Sequence, residues 1–188
     1  MTIPFLDLGA AYRELKTDID TAIQRVLDSG WYILGPEVTA FEKAWAEYCG
    51  AQHAVGLGNG LATHNIAPQK VAAAITGKTK VLLPVHLYGQ PADLDPLLSL
   101  AEAHGLYVVE DGAQAHGAKY KGQRIGAHGD IVCWSFYPGK NLGALGDGGA
   151  ITTNNADLAE KVRIIANYGS KQKYVNEIAG TNSRLDPI

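Results

Sequence analysis

Two short runs hold side chains that could act together. Val108-Val109-Glu110-Asp111 is an apolar run that closes on acids, and Ser135-Phe136-Tyr137-Pro138-Gly139-Lys140 carries a lysine just beyond a second apolar run, 29 residues after Asp111. A lysine leaving a strand can condense with an aldehyde. A carboxylate at the end of an apolar strand is costly unless a cation faces it, and a protonated pyridine nitrogen is such a cation. A lysine and an acid at opposite ends of one ring are what pyridoxal 5′-phosphate chemistry requires. Gln114 could donate to the ring oxygen and Ser135 could reach a phosphate oxygen. Each residue also has an ordinary explanation. Asp111 suits a turn before Gly112-Ala113, Lys140 a solvated turn, and Gln114 and His116 a loop.

These residues need a scaffold. Tyr12 to Leu27 has apolar positions at helical spacing, and Pro36 to Cys49 repeats the pattern with Gly50 as its stop. His53 to Leu57 reads as a strand entering Gly58-Asn59-Gly60, a turn that either cradles a phosphate or simply joins strand to helix. Thr79 to His86, Leu106 to Glu110, Ile131 to Phe136 and Gly149 to Thr153 read as strands, with helices over Asp95 to His104 and Asp157 to Tyr168. Strands apolar on both faces and alternating with helices predict an α/β protein with a parallel, doubly wound sheet. Ligands of such sheets sit beyond the carboxyl ends of the strands, where Asp111, Gln114 and Lys140 fall.

Composition narrows the function classes. With 16 Lys and Arg against 19 Asp and Glu the net charge is −3, which gives nucleic acid or an anionic membrane no attraction. The amino-terminal residues lack a basic region followed by an apolar core, and no run approaches the roughly eighteen apolar residues of a spanning helix. The expected location is the cytoplasm. Cys49 and Cys133 have no metal or redox spacing and are expected as free thiols, and no histidine pair has zinc-site spacing, so no metal is expected. Gly146-Asp147-Gly148-Gly149 is not followed by the lysine of a P-loop, and Gly56 to Gly60 departs from the dinucleotide fingerprint.

Read together, Gly35-Pro36-Glu37-Val38, Pro84-Val85-His86-Leu87-Tyr88-Gly89, Glu110 to Gly117, Ser135 to Lys140, Gly146 to Gly149 and Asn182-Ser183-Arg184-Leu185-Asp186 closely resemble the DegT/DnrJ/StrS-type sugar aminotransferases. The resemblance implies an aspartate-aminotransferase-like (fold type I) large domain that uses pyridoxal 5′-phosphate. It implies transfer of an amino group from glutamate to a keto group of a nucleotide-linked deoxysugar, with deoxythymidine-diphosphate 3-keto-6-deoxyhexoses the nearest match. By the same resemblance Lys140 is the Schiff-base lysine and proton carrier. Asp111 partners the pyridine nitrogen, Gln114 the ring hydroxyl, and Ser135, Gly60 and Leu61 lie at the phosphate. Asn182 would reach the phosphate held by the other subunit, making the active site the product of a homodimer.

The pattern is interrupted. After Leu61 the sequence passes at once to Ala62-Thr63-His64-Asn65-Ile66, which resembles a later segment of the family, so an internal stretch is expected to be missing near 61–62. Residues 1–188 then form an incomplete large domain without the smaller carboxy-terminal one. Loss of a central strand would leave a gap or a rearranged pairing in the sheet, and loss of phosphate and ring-stacking contacts would impair the enzyme. Two alternatives stand beside a transaminase: a non-catalytic fragment of such an enzyme, and a pyridoxal-phosphate sugar dehydratase. Dehydratase relatives carry histidine in place of the lysine found here at 140.

Overall fold

The computed structural model describes residues 7–57, 65–172 and 174–186. In chain order the elements are α1 (Leu8–Glu14), α2 (Lys16–Ser29), α3 (Pro36–Cys49), β1 (His53–Leu57), α4 (Pro68–Ala74), β2 (Val81–Leu82), α5 (Leu94–His104), β3 (Tyr107–Asp111), β4 (Lys119–Tyr120), β5 (Gln123–Arg124), β6 (Ile131–Ser135), β7 (Gly149–Thr153), α6 (Ala156–Ala166), β8 (Ser170–Gln172) and β9 (Val175–Asn176). Five strands form the main sheet in the order β1-β7-β6-β3-β2. β2, β3 and β6 are parallel, and β7 runs antiparallel to both of its neighbours, β6 and β1. The sheet is thus mostly parallel with one strand reversed. β7 reverses because the 136–148 connection contains no helix to carry the chain back across a face of the sheet.

Alternation along the strands divides the core in two. Ala54, Val132, Trp134 and Ala150 join Trp45, Cys49 and Phe136 in a cluster under α3, whereas Val55, Ile131, Cys133 and Ile151 pack with Ala159 and Val162 of α6. A third cluster seats α4 and α5 through Val71, Leu97 and Ala101 on Leu82 and Val108. Local sequence agrees with these placements. Pro36 opens α3, Gly50 at φ 70° closes it in the left-handed conformation, and Asn155 caps α6 by accepting from the Asp157 and Leu158 amides.

Three expectations are corrected. The helix expected from Tyr12 to Leu27 divides into α1 and α2 at Leu15, whose half-exposed side chain has no core to hold it in line. The strand expected from Thr79 to His86 is regular only at Val81–Leu82. Pro84 has no amide to continue the ladder, and Val85 makes an isolated bridge to Asp111. Among the described residues the main sheet also shows no gap. Its hydrogen-bonded order is continuous, and β1 and β2, the strands on either side of Leu61 in sequence, stand at opposite edges.

Both cysteines are free, with Cys49 buried and Cys133 half-buried. Burial pushes the Cys49 thiol up to about 12, and burial followed by the nearby Asp111 and Glu110 carboxylates pushes Cys133 up to about 11, so both remain protonated and unreactive at neutral pH.

Glu42 ties three elements together. Its buried carboxylate accepts the Gly56 amide at 2.8 Å and the Arg163 guanidinium at 2.9 and 3.1 Å, while the Arg163 Nη2 also donates to the Ala54 carbonyl at 3.0 Å. Glu42→Ala would strand a buried amide and a cation that keeps partial access to water. Urea denaturation should therefore show a loss of about 2–3 kcal/mol, and a loss below about 0.5 kcal/mol would contradict a linking role for Glu42.

Candidate active site

Asp111 ends β3, and its Cα partner on β6 is Cys133. Ser135 lies two residues beyond Cys133, so Asp111 and Ser135 share one face of the sheet, while Glu110 lies on the other with Val132 and Trp134. The chain must leave Asp111 through a glycine. A Cβ at Gly112 would stand 2.9 Å from the Trp134 ring and 3.0 Å from Val132, and the Gly112 amide donates to the Cys133 carbonyl at 2.8 Å. This close seat holds the turn that follows, in which the Ala113 amide donates to Asp111 Oδ1 at 2.9 Å.

β6 runs past Ser135 into a turn closed by the Lys140 amide on the Tyr137 carbonyl at 2.8 Å and by the Ala144 amide on the Phe136 carbonyl at 2.8 Å. Lys140 is half-buried there. Burial raises the Asp111 carboxyl above the usual range, and this is countered first by the Ala113 amide and then by the charge of Lys140. The lysine and the acid therefore lie within each other's field, as their placement at adjacent strand ends requires.

Gln114 Oε1 accepts the Tyr88 amide at 2.9 Å, and Tyr88 sits at φ 52° in the loop after Val85. That loop is clamped from the other side by Asn65, whose Oδ1 accepts the Leu87 amide at 2.8 Å and whose Nδ2 donates to the Gln90 carbonyl at 3.1 Å. The Ser135 side chain is buried and accepts weakly from the Tyr137 amide at 3.4 Å. His116 packs among Trp45, Trp134 and Phe136, and its Nε2 donates to the Ser135 carbonyl at 3.0 Å. Burial, the largest influence, lowers its pKa, so the ring is neutral and braces Ser135.

The structure brings together Asp111, Gln114, Ser135 and Lys140. Asn182 stands apart and is exposed. Its backbone bridges Asn167 beyond α6, and its Oδ1 accepts from Arg184 Nε at 3.2 Å. No hydrogen bond among the described residues joins it to the other four. Gly60 and Leu61 lie outside the described residues. Sequence reasoning gave no role to Asn65, to Tyr88, which lies in the Pro84 to Gly89 motif, or to Glu110, whose acid in an apolar strand was a legible signal.

This set fits pyridoxal 5′-phosphate. Among the described residues a buried carboxylate has only one of its oxygens engaged and Gln114 Nε2 is an unused donor, and a lysine lies nearby. The family model for DegT/DnrJ/EryC1/StrS aminotransferases matches in two segments, residues 13–64 and 60–188. A dTDP-3-amino-3,4,6-trideoxy-alpha-D-glucose transaminase of Streptomyces venezuelae is 47% identical over 232 residues, covering 99% of this chain and 61% of the relative. A dTDP-3-amino-3,6-dideoxy-alpha-D-galactopyranose transaminase of Aneurinibacillus thermoaerophilus is 44% identical, covering 99% of this chain and 64% of the relative. The crystal structure of S. venezuelae DesV in complex with a ketimine intermediate superposes with a TM-score of 0.93 at 47% identity, over 98% of this chain and 62% of that one. The chain spans about three fifths of the length of these relatives. Sequence, sheet and site thus agree, and the chain belongs to the DegT/DnrJ/EryC1/StrS aminotransferase family, with the mixed, mostly parallel sheet of a fold type I enzyme.

Proposed function

We propose that this chain carries the cofactor site of a pyridoxal-phosphate-dependent transaminase that moves an amino group from glutamate to a keto group of a nucleotide-linked deoxysugar, the nucleotide being deoxythymidine diphosphate. The single observation that carries this reading is the half-buried Lys140 set within the field of the buried Asp111, whose carboxylate makes one hydrogen bond among the described residues, at adjacent strand ends. Relatives named for dTDP-amino-sugar formation support the substrate class.

When bound, pyridoxal 5′-phosphate supplies an aldehyde that takes nitrogen and a ring that takes up an electron pair. Asp111 would accept a hydrogen bond from the ring N–H and keep that nitrogen charged. Gln114 donates from Nε2 toward the ring oxygen, while its Oε1 stays committed to Tyr88. Ser135 offers its hydroxyl to phosphate, with Gly60 and Leu61 completing that end. Lys140 would hold the aldehyde end of the group, and its Nζ would serve as the proton carrier there. Asn182, exposed beyond α6 and away from this cluster, serves the phosphate of a partner subunit in a homodimer. Among the described residues no helix is long and apolar enough to cross a membrane, which agrees with action in the cytoplasm.

We also propose that residues 1–188 belong to a large domain whose internal gap lies near 61–62. Support comes from the two-part family match meeting at 60–64 and from an alignment of 232 positions, longer than the chain itself. The same interruption favours the second reading, a non-catalytic remnant. One experiment separates the two: the protein is titrated with pyridoxal 5′-phosphate, reduced with borohydride and mapped by mass spectrometry, then assayed for amino-sugar formation from glutamate and a dTDP-linked 3-keto-6-deoxyhexose. An adduct on Lys140 together with product supports the transaminase. An adduct without product supports the remnant, and neither would refute the cofactor reading.

A further inference from the structure

Directly behind Asp111, on the opposite face of β3, lies a buried polar pair that takes no part in the chemistry above. His86 and Glu110 are both fully buried, with His86 Nε2 2.8 Å from Glu110 Oε2. The Ala92 amide donates to His86 Nδ1 at 3.0 Å, and the Gly129 amide donates to Glu110 Oε1 at 2.6 Å. An amide on Nδ1 makes that nitrogen the acceptor, so the ring is the Nε2–H tautomer and donates to the Glu110 carboxylate. Each nitrogen of the ring and each oxygen of the acid then has one partner.

The main chains of the same residues hold Asp111. The His86 amide donates to the Asp111 carbonyl at 3.0 Å, and the Asp111 amide donates to the Pro84 carbonyl at 2.8 Å. These two bonds extend the β2–β3 pairing past the point where Pro84 interrupts the ladder. The end of β3 is therefore not held by a continuous strand. It is held by a two-bond clasp whose side chains knit together four segments: 84–86, Ala92, Glu110 and Gly129. Burying a carboxylate beside a neutral ring is expensive, and an apolar pair would fill the space more cheaply. What the polar pair supplies is direction, because each of its bonds has one geometry.

We infer that His86 and Glu110 are positioning residues that set the depth and orientation of Asp111 toward the cofactor's ring nitrogen. The inference rests on the cofactor reading above. In the neutral Nε2–H form, the His86 donor is replaced by the amide of a glutamine. His86→Gln keeps the bond to Glu110, whereas His86→Leu leaves a buried carboxylate short of a donor.

The test follows the visible band of bound pyridoxal 5′-phosphate across pH in wild type, His86→Gln and His86→Leu, with circular dichroism run in parallel. A protonation midpoint close to wild type in His86→Gln, together with a displaced midpoint and a cofactor Kd at least about tenfold higher in a folded His86→Leu, supports the inference. The same midpoint and Kd in all three overturn it while leaving the cofactor reading intact. No band in wild type overturns both. Should His86→Leu not fold, nitrogen-15 correlation spectra of the wild type decide. An Nε2–H tautomer whose resonance shifts when cofactor is added supports the inference, and the Nδ1–H form, or a resonance indifferent to cofactor, overturns it.

Discussion

Lys140→Ala is expected to remove the borohydride-fixed adduct entirely and to lower amino transfer on the order of 10⁴-fold, the scale of losing a positioned proton carrier. The fold should hardly respond. The turn is closed by the Lys140 amide on Tyr137 and the Ala144 amide on Phe136, both backbone bonds that alanine preserves. Stability within about 0.5 kcal/mol of wild type is the expected result in denaturant. The substitution should also be felt at Asp111. Lys140 is one of the charges that pull the Asp111 carboxyl downward against burial, so without it that carboxyl titrates still higher. Full activity in Lys140→Ala, or an adduct on another lysine, would remove the chemistry assigned to this turn.

Asp111→Asn separates function from stability in the opposite sense. The asparagine oxygen can still accept the Ala113 amide, so the turn after β3 survives. The negative charge that keeps a ring nitrogen protonated does not, and activity should fall on the order of 10³-fold, comparable to deleting a preorganised electrostatic partner. The linkage sign follows from the direction of the shift. Burial raises the folded carboxyl above its unfolded value, so the folded state binds the proton more tightly, and cofactor-free stability declines as pH rises from the unfolded toward the folded pKa. The cofactor-free protein bears that penalty increasingly as pH rises, and Asp111→Asn relieves it. Thermal melts of the cofactor-free variant at pH 7 should therefore show a higher midpoint, by about 1 kcal/mol of stability or a few degrees, with the gain shrinking under acid conditions. A lower midpoint at pH 7 would show that the charge of Asp111 stabilises the folded chain. Its burial would then have to be offset from within the protein instead of by a ligand.

Much of the architecture was legible because it is written in local chemistry. Pro36 and Gly50 bracket α3, Gly105 stops α5, and the apolar runs of β1, β3, β6 and β7 occupy nearly the residues their composition indicated. The departures arose where a distant contact decided the outcome. Pro84 lies in a run as apolar as any strand, yet its missing amide ends β2 after two residues. β7 has the composition of a parallel strand, and only the helix-free connection before it turns it round.

The same division holds at the site. The types and spacing of Asp111 and Lys140 pointed toward pyridoxal-phosphate chemistry without deciding it, because each residue also suits an ordinary turn, and the ordered motifs around them, Gln114 and Ser135 included, carried the resemblance that completed the reading. The sequence also carries the expectation of an interruption after Leu61, since a change in the order of motifs needs no coordinates to be seen. Only the tertiary structure joined the described strands in one continuous sheet with β1 and β2 at opposite edges, because strand order in space is independent of order in the chain. It alone put Asp111 and Ser135 on one face through the pairing of Asp111 with Cys133, and set Asn182 apart from both. It alone set His86 against Glu110, 24 residues away, since buried hydrogen bonds between distant segments obey no period that a linear reading can detect.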